Sequence, residues 1–224
     1  MSFDSTVRTV IPTLLAGFGL GLSLIVAIGA QNLFVLRQGI RREHAIAVAA
    51  VCAVSDAVLI VLGVSGLGLV IQAVPWLVDV VRWAGFAFLL VYGLLAARRA
   101  LRPSGQALRV ETPAAEATNT AATAAGTTAT RLAPVLLTCL ALTWLNPHVY
   151  LDTVFLLGSV ASSHGELRWW FATGAAVASA VWFFGLAVGA RYLGRWLATP
   201  RAWRILDGVI AVVMIAIAVS LVWR

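Results

Sequence analysis

Residues 53–66 read AVSDAVLIVLGVSG and residues 176–189 read AVASAVWFFGLAVG. The two strings lie 123 positions apart, an offset that also pairs Gly85 with Gly208. Each sits inside a longer apolar segment. Six such segments run roughly over 10–36, 45–71, 76–97, 134–158, 168–190 and 204–223, each close to or above the roughly 20 residues of a membrane span. The first and fourth align at a shorter offset, near 115, which sets Gln31 opposite Asn146. The difference is absorbed by the connection between the fourth and fifth segments, longer than that between the first and second. Three spans per half is an odd number, so the halves have opposite orientation in the membrane. The expected fold is an all-α integral membrane protein whose six transmembrane helices form two inverted three-helix repeats. Transporters commonly use this plan, with substrate bound where the halves meet.

Composition points the same way. The chain has 224 residues, 61% of them hydrophobic and 11% charged, whereas a soluble domain carries about 45–50% and about 25%. So few charges could not cover the surface of a soluble core. All 16 basic residues are arginine. Without a lysine there is no P-loop lysine, no pyridoxal Schiff base and no retinal linkage. The first apolar stretch is too long for a signal-peptide core, and a cut after Ala30 would put Ile28 where a small residue is wanted. It reads as a retained helix. Cys52 and Cys139 lie in apolar runs with no paired spacing and read as small helix residues rather than a disulfide or zinc site.

Residues 1–100 hold the first repeat and 134–224 the second, joined by a linker over 101–133. Within it, Thr112 to Thr130 contains eight Ala and seven Thr with one charge and no aromatic residue, a composition expected to stay flexible. Arginines set the orientation. Twelve fall in the connections between spans one and two, three and four, and five and six, among them Arg37, Arg99, Arg102 and Arg204; only Arg8, Arg82, Arg168 and Arg224 lie on the other side. The positive-inside rule makes the twelve-arginine side cytoplasmic and both termini external. The net charge of +7 therefore reports topology, and no nucleic-acid partner is expected. Trp76, Trp83, Trp169, Trp170 and Trp223 then gather at the outer interface, as an aromatic belt.

Two carboxylates, Asp56 and Asp152, lie well inside apolar segments, where each costs about 2.5–3.5 kcal/mol at mid-membrane. Asp79 with Arg82 and Arg204 with Asp207 are expected to pair locally at i,i+3, which leaves Asp56 and Asp152 without an internal cation. In LTWLNPHVYLD, Pro147 lacks an amide hydrogen and disfavours helix at Asn146. Asn146 as cap and Pro147 in the first turn would begin a new half-helix, whose amide end suits a carboxylate. Gln31 and Asn32, in the polar patch 29–32, make the matching interruption in the first span. An anion-binding helix start with two unpaired carboxylates complements a zwitterion with an extra positive charge, most simply a basic amino acid. His148, Tyr150 and Ser55 are further candidates to line the site; His44 and His164 read as loop or interface residues. Gly17 with Gly21 and Gly185 with Gly189 have the spacing of close helix packing.

No enzyme activity, cofactor or metal site is expected. Ser55 and Asp56 are an adjacent nucleophile–acid pair, but helix neighbours do not face each other. A metal exporter, an alternative of similar layout, would want more sulfur or carboxylate ligands.

The passages GAQNLFVLRQGIRREH…CAVSDAVLI and LTWLNPHVYLDTVFLLGS resemble the LysE family of amino-acid exporters, and NPHVYLD is similar to its arginine-exporting branch. The resemblance runs from about residue 15 to 222, apart from the Ala/Thr linker. It implies a multi-pass secondary transporter of the bacterial inner membrane that exports L-arginine and L-lysine, with Asp56 and Asp152 required. Expected partners are the substrate, protons or another coupling ion, and the lipid bilayer; a homodimer is compatible with the layout. Relatives that export neutral amino acids such as homoserine and threonine leave substrate choice open.

Overall fold

The computed structural model describes residues 3–26, 29–66, 75–101, 132–194 and 199–223. Among them every regular element is helical. The elements are α1 (Phe3–Ile25), α2 (Ala30–Arg41), α3 (Ala45–Val64), α4 (Pro75–Leu101), α5 (Leu132–Trp144), α6 (Pro147–Ser163), α7 (Arg168–Leu193) and α8 (Pro200–Val222). Four of these are long and apolar enough to cross a membrane, and the bent pairs α1–α2 and α5–α6 bring the total to as many as six spans. The linker expected over 101–133 falls outside the described residues, apart from its ends. So does the end of the second span beyond Gly66.

Local chemistry explains the helix starts. Thr199 caps α8 by accepting the Ala202 amide at 3.2 Å, with Pro200 in the first turn. Asn146 does the same for α6: its backbone is extended and its side chain accepts the His148 amide at 3.1 Å. The expected break at Pro147 is present, and the axes of α5 and α6 differ by 57°.

Helix α4 pairs with α8, α1 packs on α7, and α3 packs against both α7 and α6. These contacts depend on small residues. A Cβ at Gly17 would overlap the Phe171 carbonyl of α7, and Gly63 of α3 lies against Gly158 of α6 so closely that a Cβ on Gly158 would sit 2.7 Å from the Gly63 carbonyl oxygen. The packing expected of Gly17 and Gly21 is observed. Gly185 and Gly189 are different: nothing lies within 4 Å of an added Cβ at either, because the side of α7 that carries them does not face another helix. Gly17→Ala is therefore expected to destabilise the protein by about 1–3 kcal/mol through overpacking, while Gly185→Ala, which meets nothing and favours the helix, should hold or slightly raise stability. Thermal unfolding in detergent checks both, and equal melting temperatures for the two variants would count against this packing.

Two more expectations are corrected by tertiary contacts. Arg204 does not pair with Asp207; its Nε donates to the Ala100 carbonyl at 3.1 Å. Asp207 instead pairs with Arg37 at 3.3 Å and Arg99 at 3.5 Å. Arg37, read as a loop residue, is a buried residue of α2. The Asp79–Arg82 pair is present at 3.8 Å. The sulfur atoms of Cys52 and Cys139, both fully buried, lie 3.2 Å apart as free thiols. Their separation along the chain says nothing about this meeting, which α3 and α5 create by packing together. Trp76, Trp83, Trp169, Trp170 and Trp223 are all exposed, as residues of a lipid-facing belt would be.

Candidate functional site

Both broken spans open onto one cavity of about 260 Å³. Ligand sites for drug-sized molecules run to about 300–1,000 Å³, so this one suits a smaller metabolite. Gly29, Ala30, Gln31 and Asn32 reach it from the first break. Asn146, His148, Val149, Asp152 and Thr153 reach it from the second, and Asp56 from α3. Phe183 of α7 and Ile217 of α8 supply apolar wall. Six residues singled out from the sequence thus meet in one place: Gln31, Asn32, Asp56, Asn146, His148 and Asp152.

The first break is closed by side chains. Gly29 is extended ahead of α2, and the axes of α1 and α2 differ by 82°. Asn32 Nδ2 donates to the Ile25 carbonyl at 2.7 Å, giving a partner to an acceptor at the end of α1. Its Oδ1 accepts from Trp182 Nε1 of α7 at 3.1 Å. The neighbouring Gln31 Nε2 is buried and has no hydrogen-bond partner. A buried donor left unmatched beside a cavity is costly unless a ligand meets it.

The second break has the corresponding tie. Tyr150 donates its hydroxyl to the Trp144 carbonyl at 2.8 Å, across the gap from α6 to the end of α5. Trp144 Nε1 in turn donates to Ser55 Oγ at 3.3 Å. Tyr150 and Ser55 lie outside the cavity wall and brace it from behind; Pro147 starts the helix without lining the cavity. Residues Tyr150–Leu157 form a π-helix. Such wide turns are rare and concentrate at functional sites. Nothing in the spacing of apolar residues foretold it. The wider turn contains Asp152 and Thr153, which share the cavity-facing side with His148 and Val149.

The two carboxylates differ. Asp152 lines the cavity and is exposed. Asp56 is 6% exposed and accepts a hydrogen bond at 2.7 Å from Ser179 Oγ of α7. No arginine lines the cavity, so neither carboxylate meets a guanidinium there. Among the described residues no group of three or more His, Cys, Asp or Glu side chains could hold a metal ion. Ser179, Trp182 and Phe183 were not singled out from the sequence. Yet the 123-residue offset between AVSDAVLIVLGVSG and AVASAVWFFGLAVG sets Ser179 opposite Asp56, a signal already present.

A protein of Mycobacterium tuberculosis (strain H37Rv) named as an amino-acid transporter is 48% identical over 198 residues, covering 88% of this chain and 90% of its own length. The lysine exporter LysE of Corynebacterium efficiens is 41% identical over 92% of this chain and 96% of its own. The arginine exporter protein ArgO of Serratia proteamaculans is 43% identical over 94% and 96%. No solved structure matches the chain. The family model described as LysE type translocator matches residues 22–224, nearly the whole chain and every element of the cavity except part of its first helix. This chain therefore belongs to the LysE family of amino-acid exporters, as the resemblance of its two broken spans implied.

Proposed function

We propose that the protein exports basic L-amino acids, L-arginine and L-lysine, across the bacterial inner membrane in exchange for protons. The observation that carries this reading is the cavity itself: Asp56 and Asp152 line it and no arginine does. Two carboxylates without an internal cation suit a substrate with a cationic side chain. The unpartnered Gln31 amide and the start of α6 at Asn146–Pro147 suit its carboxylate. The relatives named as lysine and arginine exporters support the same substrate class.

Alternating access of two inverted halves is the proposed mechanism, supported by the symmetry of the contacts. Exchanging the halves swaps the α2–α7 contact with the α6–α3 contact and the α1–α7 contact with the α5–α3 contact, and leaves the α4–α8 and α3–α7 contacts in place. The first and fourth spans are both broken. Asp56 and Ser179, equivalent under the offset of 123, bond to each other, as residues beside a pseudo-two-fold axis do. With the arginine-rich connections cytoplasmic, both termini face outward. Moving a cation out against an interior-negative potential costs about 2.3 kcal/mol per 100 mV. An incoming proton cancels that charge movement, and proton and substrate take turns on Asp56 and Asp152.

Counterflow in proteoliposomes tests this reading. Labelled arginine should exchange against internal arginine or lysine and not against threonine or a divalent metal, and collapsing the proton gradient should remove concentrative transport. Exchange with threonine alone would overturn the substrate assignment. Concentrative transport insensitive to the proton gradient would overturn the coupling.

A further inference from the structure

The bond between Ser179 and Asp56 has a direction. Ser179 is fully buried and takes no part in the cavity wall, yet its hydroxyl holds Oδ2 of Asp56 at 2.7 Å. Oδ2 is thereby drawn into the interface between α3 and α7. Asp56 nevertheless lines the cavity, and among the described residues no other side chain bonds it. Oδ2 has spent one of its acceptor sites on Ser179, whereas Oδ1 keeps both of its own.

One free oxygen and two free oxygens are different receptors. A guanidinium is a planar fork that meets a carboxylate best through two parallel N–H···O bonds, one to each oxygen. An ammonium is a compact point charge with three donors on a flexible stem and is served by a single oxygen. We propose that Ser179 sets the choice between the two basic substrates: by holding Oδ2 away from the cavity it leaves Asp56 an end-on acceptor, which favours the lysine ammonium over the arginine guanidinium. This rests on the proposed function, in which the cationic end of the substrate meets Asp56. Ser179 is then a positioning residue that acts through Asp56 without touching the substrate.

The test uses the full chain in proteoliposomes, with one fixed pH on both sides, and reads KM for labelled arginine and labelled lysine in the wild type, Ser179→Ala and Ser179→Thr. Ser179→Ala removes only a hydroxyl and frees Oδ2 to turn toward the cavity. The affinity for arginine relative to lysine should rise about tenfold, the value of one added charged hydrogen bond after its ordering cost. Ser179→Thr keeps the hydroxyl and should keep the wild-type ratio. A merely structural role would move both KM values by one factor, and that result overturns the proposal. So does a Thr variant that shifts the ratio as Ala does. Should Thr overpack the interface, Ser179→Cys, of similar size and with a weak donor, should shift the ratio in the same direction as Ala and by less; an unchanged ratio in both the Ala and Cys variants rejects the idea. Failure of the underlying reading looks different: Asp56→Asn would then transport both amino acids with wild-type KM.

Discussion

Asp56→Asn should fold and reach the membrane, yet lose export of arginine and lysine. The substitution keeps the size and shape of the side chain, and the amide oxygen can still accept from Ser179. What it removes is the charge. Asp56 is the buried carboxylate of the cavity, and removing one member of a buried, hydrogen-bonded charge pair costs about 2–5 kcal/mol of binding. That corresponds to roughly 30- to several-thousand-fold in affinity, enough to take flux to background at physiological substrate levels. In the proposed proton exchange an amide also cannot carry a proton back, so raising the substrate concentration should not restore concentrative transport. Stability should hold or rise, since no charge remains to be kept out of water. Labelled-arginine efflux and melting temperature, measured on one preparation, separate the two effects. Wild-type flux in Asp56→Asn would sink the assignment of this residue.

Asp207→Asn should instead act on stability. Asp207 receives two guanidiniums, Arg37 at 3.3 Å from α2 and Arg99 at 3.5 Å from α4. The side chains of Asp207 and Arg37 are 11% and 10% exposed. Removing the carboxylate leaves Arg37 charged and buried with nothing to oppose it, a loss of about 3–5 kcal/mol. Arg99, 38% exposed, can turn toward water or headgroups and suffers less. The double variant Arg37→Gln, Asp207→Asn removes the stranded charge together with its partner, so it should be more stable than the sum of the single losses predicts. Thermal unfolding of the three variants in detergent closes the cycle. A wild-type melting temperature for Asp207→Asn would show that the pair contributes nothing.

Much of the site was legible before the fold was known, because membrane burial makes polar residues conspicuous. A carboxylate in an apolar run, a proline after an asparagine and a glutamine–asparagine pair in a first span each stand out from their surroundings. They led to Asp56, Asn146 and the patch at 29–32, all of which reach the cavity. Ser179 was not conspicuous, since serine is an ordinary small residue of packed membrane helices. Arg37 was misread for a related reason. Near the end of an apolar segment an arginine counts toward loop charge, and only the arrival of Asp207 from the last helix explains its burial. Local rules favoured Arg204 for Asp207, at three residues' distance. Tertiary packing chose Arg37, 170 positions earlier in the chain.

The sequence by itself determined that this chain lives in a bilayer, how many apolar segments it has, where two of them break and which family it joins. Those properties depend on composition, on the missing amide hydrogen of a proline and on strings of adjacent residues, all local in the chain. Only the tertiary structure decided that both breaks share one cavity, that a π-helix carries Asp152 on its wall, that two thiols touch and that Ser179 claims one oxygen of Asp56. Each of these is a meeting of residues far apart in the chain or a change of helical winding. Side-chain packing between helices selects them, and apolar periodicity along one helix does not encode its neighbour.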